Sequence, residues 1–177
     1  MEKIILYGSK YGSSRKYAEM LSASCNIKTI SYEQASHLEN MDKIIYIGSL
    51  YAGGVFGLSK FLRRFTIKDH QQFFLITVGL ADPNIEENRI HLRQTLRKQY
   101  GHDFFERSNI FHLRGSIDYQ QLSFKDKTLM TLLYKSLSKK PADRLSTEDR
   151  ALIETYDKKV DFIDYDALRP IIREIQI

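Results

Sequence analysis

The stretch YGSKYGSSRKYAEML, residues 7–21, sets two glycines and three serines between an apolar run and an amphipathic one. A strand that turns into a helix in this way exposes the unpaired N–H groups and partial positive charge of the helix start, a setting that favours phosphate. Ser9, Ser13 and Ser14 can donate further hydrogen bonds, Gly12 permits a tight turn, and Lys10 and Arg15 add positive charge. The spacing excludes two common nucleotide sites. A P-loop needs Gly, four residues and then Gly-Lys-Ser/Thr, and no Lys follows Gly12. A dinucleotide fingerprint needs G-x-G-x-x-G, which Gly8 and Gly12 do not supply. A mononucleotide phosphate held by hydroxyls and backbone amides remains.

Two further loops bear on the ligand. GSLYAGGVFG, residues 48–57, is rich in glycine and carries Tyr51 and Phe56, so it can wrap the edge of a flat ring. TVGLADPN, residues 77–84, contains Gly79, Asp82 and Pro83. One loop suited to phosphate and two able to flank a planar group suggest FMN. No residue stands out as a general base, so the catalytic group is unknown at this stage. Tyr51, His112, Arg114 and Tyr119 fall near the expected cleft edge by order along the chain. The histidines do not pair at metal-ligand spacing, and no metal site is expected.

The elements that must position these loops alternate in type. KIILYG (3–8), NIKTISY (26–32), KIIYIGS (43–49), QFFLITVG (72–79) and NIFHLRG (109–115) read as strands. Between them, residues 14–24, 58–66 and 86–100 carry apolar residues at helical spacing, the last through Ile90, Leu92, Leu96 and Tyr100. Strands apolar on both faces, alternating with helices, indicate a parallel sheet covered on both sides. Ligands of such folds bind at the carboxyl ends of the strands. Beyond residue 117 the pattern changes. SFKDKTLMTLLYKSLSKK (123–140) is helical and ends at Pro141; STEDRALIETYDKK (146–159) opens with a helix-start signature; VDFID is extended; and Pro170 kinks or begins a last helix.

Composition sets outer bounds. The 177 residues, 42% hydrophobic and 28% charged, suit a single domain spanning 1–177, with 118–160 as a helical insertion within it. No apolar run approaches the roughly 20 residues that span a bilayer, and the start lacks a signal-peptide pattern, so a cytoplasmic protein is expected. Cys25, the only cysteine, cannot form an internal disulfide. A net charge of +5 permits an anionic partner, and the absence of a nucleic-acid-binding fingerprint argues against nucleic acid. From Arg114 to Lys140 six basic residues outnumber two acidic ones and flank an apolar stripe. Such a helix can lie peripherally on the inner face of an anionic membrane through 123–140, close over a flavin, or bind a carboxylated substrate.

SKYGSS resembles the T-x-T-G-x-T-type phosphate loop of flavodoxins, with serines in the threonine places. The order of elements over residues 1–117 also resembles that family. The resemblance implies a flavodoxin-like α/β fold: a doubly wound, five-stranded parallel sheet of order 2-1-3-4-5, helices on both faces, and an inserted helical segment after strand five. It implies that Ser9, Lys10, Tyr11, Gly12, Ser13 and Ser14 cradle the FMN phosphate. Ser49, Leu50, Tyr51, Ala52, Gly53 and Gly54 would border the isoalloxazine on one side, and Gly79, Leu80, Ala81, Asp82 and Pro83 on the other. HLRG followed by a basic helical segment, with the ending DYDALRPIIREI, is similar in layout to the flavodoxin-domain, oxygen-independent protoporphyrinogen oxidase subgroup. That layout implies an oxidoreductase passing electrons from a reduced substrate, via FMN, to a quinone or other acceptor. Two alternatives stay open: an electron-transfer protein that meets a redox partner and has no substrate pocket, and a degenerate domain acting as a binding module.

Overall fold

The computed structural model describes residues 1–51 and 54–177, with the backbone alone at Thr147. β1 (Lys3–Gly8), β2 (Thr29–Ser31), β3 (Lys43–Tyr51), β5 (Gln72–Gly79) and β6 (Ser108–Arg114) are parallel and ordered β2-β1-β3-β5-β6. The expected strand order is therefore the observed one. A short β4 (Gly54–Val55) folds back antiparallel on the end of β3.

The register aligns Ile4 with Ile44 and Ile5 with Ile45, and Ile44 and Ile45 with Phe73 and Phe74. Side chains alternate across a strand, so two cores form. On one face Ile5, Ile45, Ile47, Phe74 and Ile76 pack with Tyr17, Ala18 and Leu21 of α1 (Ser13–Cys25) and with Ile171 and Ile175 of α7 (Arg169–Gln176). On the other face Ile4, Leu6, Ile44, Tyr46, Phe73 and Leu75 pack with Leu58 and Phe61 of α2 (Leu58–Arg64) and Leu96 of α3 (Glu86–Tyr100). A five-residue α4 (His102–Glu106) brings Phe105 to the same core. Each central strand is thus covered on both sides, which is why it reads as a continuous apolar run.

Two expectations about helices change in detail. Ile90 is exposed; the buried residue two positions earlier in α3 is Asn88, whose amide donates to the Asp82 carbonyl at 2.6 Å. Pro170 does not kink a helix: it sits in the first turn of α7, where its missing N–H costs nothing. The far end of α7 is satisfied by two amines, since Lys3 and Lys43 both donate to the Ile175 carbonyl, at 2.8 and 3.1 Å.

The insertion is closed at its base. β7 (Ser116–Asp118) pairs antiparallel with β8 (Lys159–Asp161), so the chain leaves and rejoins the sheet domain at one point. Between them α5 (Phe124–Leu137) is capped by Ser123, and α6 (Thr147–Thr155) is capped by a Ser146–Asp149 capping box, as the sequence signature implies. Tyr134 and Tyr156 stack at 4.0 Å and join the two helices, with Tyr119 edge-on to Tyr156.

Tyr17 fastens the insertion's exit to the sheet. Its buried hydroxyl donates to the Arg114 carbonyl at 2.7 Å and accepts from the Asp164 N–H at 2.9 Å. Tyr17→Phe leaves both backbone groups without that partner, and is expected to lower unfolding free energy by about 1–3 kcal/mol in urea denaturation.

Candidate functional site

The loop between β1 and α1 closes on itself. Gly12 takes φ of 97°, a conformation that favours glycine, and its N–H donates to Ser9 Oγ at 3.0 Å. α1 has no side-chain cap and no acidic residue in its first turn, so its leading amides remain available to an anion. The serines then divide. Ser13 Oγ accepts from the Ser116 N–H at 3.0 Å and lies 2.9 Å from Ser116 Oγ, which ties the loop to β7. Ser14 is fully buried and its Oγ has no hydrogen-bond partner among the described residues. An orphaned hydroxyl beside uncapped helix amides fits a phosphate group.

The second and third loops stand where a ring would be bordered. Ser49, Leu50, Tyr51 and Gly54 line a cavity of about 440 Å³ together with Ser9, Lys10, Tyr11 and Ser13. Ala52 and Gly53 lie outside the described residues. Gly79, Leu80 and Ala81 line the same cavity. Asp82 and Pro83, expected to border the ring, do not line this cavity. Asp82 turns its carboxylate to the Asn84 N–H at 2.9 Å, and Pro83 faces a small separate hollow beside Asn88, Arg89 and His112. Gly12 and Ser14 do not line the cavity either.

The insertion supplies the roof. Leu129, Met130, Leu133 and Leu137 of α5, and Ala151 and Leu152 of α6, face the cavity across from the loops. One polar group from the roof reaches the phosphate loop. Asp126, in the first turn of α5, has a side chain only 3% exposed. Its carboxylate accepts from Lys10 Nζ at 2.7 Å, from the Tyr11 hydroxyl, from the Tyr51 hydroxyl at 2.7 Å and from Ser123 Oγ at 2.9 Å. The Lys10 ammonium, then the Tyr11 hydroxyl, hold this carboxyl well below the usual carboxylate range. Burial would lower Lys10, but its hydrogen bonds to Asp126 and Tyr51 outweigh that and raise it. The pair is ionised under any ordinary condition. The Ser-x-x-Asp spacing of Ser123 and Asp126 marks a helix start in sequence; nothing in it signals a contact with Lys10.

Residues 4–144 match the family model described as a flavodoxin domain. The chain belongs to the flavodoxin-domain family. No curated protein matches it. Solved structures similar to it include oxidised flavodoxin 1 from Bacillus cereus, at 12% identity, covering 64% of this chain and 84% of that one, with a TM-score of 0.43. A flavoprotein in complex with FMN from Lactobacillus acidophilus is similar at 9% identity, with 64% and 91% covered and a TM-score of 0.42. A flavodoxin from the domain Archaea is similar at 13% identity, with 87% and 95% covered and a TM-score of 0.42. Family membership, with the loop geometry, supports FMN as the cofactor.

In this flavodoxin domain the other residues near the cleft have structural roles. Arg114 braces the third loop: Nε and Nη2 donate to the Leu80 carbonyl at 3.1 and 2.9 Å, and the guanidinium lies 3.7 Å from the centre of the Phe162 ring. Tyr119 is buried within the insertion, its hydroxyl unpartnered and pushed up to about 12 by burial and then by Tyr156. Cys25 is partly buried at the end of α1.

His112 bonds to Thr77 Oγ1 through Nδ1 at 2.7 Å and has a buried, unpartnered Nε2. Burial, followed by the charges of Arg93 and Arg89, pushes it down from 6.5 to about 4. The unfolded chain therefore binds this proton more readily than the folded one. Stability from this group is complete above about pH 6.5 and falls as pH drops toward 4, by up to about 3 kcal/mol. Urea unfolding between about pH 7 and 5 is expected to show this slope in the wild type and to lose it in His112→Gln.

Proposed function

We propose that this flavodoxin domain is an FMN-dependent oxidoreductase that draws electrons from a small, largely apolar reduced molecule and passes them to a quinone or other acceptor. The covered cavity carries this reading. An electron carrier needs an exposed flavin edge to meet its partner, whereas here α5 and α6 close over the loops that border the ring with Leu129, Met130, Leu133, Leu137, Ala151 and Leu152. Sites for small molecules are enclosed, mostly apolar and equipped with a few polar groups, and about 440 Å³ falls within their usual range.

Bound FMN would supply the redox chemistry. The chain's own residues would hold and screen it. The amides at the start of α1 and Ser14 Oγ would take the phosphate. Ser49, Leu50 and Tyr51 would border one side of the ring and Gly79, Leu80 and Ala81 the other. The roof leucines would exclude water from the reacting edge. A reduced tetrapyrrole of the protoporphyrinogen kind, the substrate implied by the subgroup resemblance, would set its apolar pyrrole rings against this wall. A volume suited to one drug-sized molecule must also admit the flavin, so a macrocycle requires the roof to lift.

The purified protein is expected to be yellow and to quench FMN fluorescence on titration. Ser14→Ala should weaken FMN by about tenfold or more, the worth of one hydrogen bond to a charged group, while leaving riboflavin nearly unaffected. A colourless protein that binds no FMN would overturn the assignment. Anaerobic reduction of the bound flavin by protoporphyrinogen separates an oxidoreductase from a carrier.

The outward side of α5 supports a membrane-facing role. Phe124 is 88% and Leu132 62% exposed, with exposed Lys125, Lys135 and Lys139 around them. Apolar residues ringed by lysines suit the surface of an anionic bilayer. Among the described residues no helix is long and apolar enough to cross a membrane. Co-sedimentation with anionic liposomes is expected at low salt and should be lost in Phe124→Ser/Leu132→Ser; absence of binding at low salt would remove this role.

A further inference from the structure

We propose that Asp126 is an internal anion that latches the roof to the phosphate loop and competes with the incoming phosphate of FMN, so that seating the cofactor loosens the roof. The proposal rests on the FMN assignment and adds a coupling that the assignment alone does not contain.

Three observations converge. First, Lys10 is the one basic side chain of the Ser9–Ser14 loop that lines the cavity, and it is committed to Asp126 at 2.7 Å. Second, the contact is long-range: Lys10 and Tyr11 belong to the loop after β1, Tyr51 to the end of β3, and Ser123 and Asp126 to the start of α5. One carboxylate therefore joins the roof to two of the three flavin-bordering loops. Third, the loop's remaining anion-binding groups are unspent, because α1 is uncapped and Ser14 Oγ is unpartnered.

A phosphate arriving there brings a second negative charge next to a buried one. Like charges in a poorly solvated setting repel strongly. Lys10 can neutralise either anion, but not both fully. With the phosphate seated, Asp126 loses part of its stabilisation and the first turn of α5 loses its fastening. The hinge at β7–β8 and the His91–Glu148 contact at 3.3 Å between α3 and α6 remain, so the roof can lift from the α5 end without detaching. This gives an order of events: the phosphate enters, the latch weakens, and the apolar cavity opens to a substrate that the closed roof would not admit.

The test uses Asp126→Asn, which keeps the shape of the side chain and removes its charge. Apo-protein, wild type and variant, is titrated with FMN and with riboflavin, which carries the same ring without the phosphate. Hydrogen exchange of α5 is followed with and without inorganic phosphate. The variant should bind FMN about tenfold tighter, the worth of relieving one like-charge contact, and riboflavin within about twofold of wild type. Inorganic phosphate should speed exchange of α5 several-fold in the wild type and leave the variant unchanged. Weaker FMN binding by the variant would show that Asp126 positions Lys10 for the phosphate, and would overturn the latch. An equal change for both flavins would overturn it as well. If neither protein binds either flavin, the FMN assignment fails on its own. The latch is then judged by exchange: faster α5 exchange with phosphate in the wild type alone sustains it, and no change sinks it.

Discussion

A parallel strand buried on both faces has nowhere to present a polar group except at its ends. β1, β3 and β5 are such strands, and their carboxyl ends, at Gly8, Tyr51 and Gly79, open into the loops around the cavity. Because the strands run parallel and in register, these loops emerge at one edge of the sheet. The two cores fix that edge in place: α1 and α7 hold one face, α2 and α3 the other. These loops can be irregular and rich in glycine because the strands beneath them cannot shift register without exposing a whole face of isoleucine and phenylalanine.

This division explains how much was legible in the sequence. The strands announced themselves because two-sided burial leaves an unbroken apolar run, while their order came only from the resemblance to flavodoxins. The turn from β1 into α1 was legible because it is local: a strand end, Gly12 and the start of α1 lie within ten residues. What was not legible is what crosses the chain. Ser13 and Ser14 are neighbours of one type, yet Ser13 is spent on Ser116 and Ser14 is not. The difference is set by the turn after β6, about a hundred positions away in sequence. Asp82 and Pro83 were expected at the ring, but the Asp82 carboxylate folds into its own turn and its carbonyl receives Asn88, the residue buried in α3 where Ile90 was expected to contribute. Helical spacing distinguishes faces, but it does not tell which edge of a broad face meets the sheet.

The insertion shows the same limit more sharply. Its basic character and apolar stripe were visible, and a surface role or a closing role followed equally well from them. The structure gives the helix both sides. Leu129, Met130, Leu133 and Leu137 face the cavity, while Phe124 and Leu132 face outward. One helix thus carries a wall of the pocket and an exposed apolar surface, with exposed lysines at 125, 135 and 139.

The balance of forces in the roof follows from this arrangement. α5 faces the loops across the cavity with apolar side chains along most of its length and is tied to them by an ionic cluster at one end. Apolar contact is non-directional and tolerates a sliding or lifting helix. The Asp126 cluster is directional, with four donors converging on one carboxylate from three parts of the chain. A charge so nearly excluded from water is stable only while its partners stay in place, since losing one leaves an uncompensated ion. Movement of α5 therefore does not grade smoothly with ligand size. It waits on the electrostatics of one site, and that site lies at the loop whose remaining amides and hydroxyl await an anion.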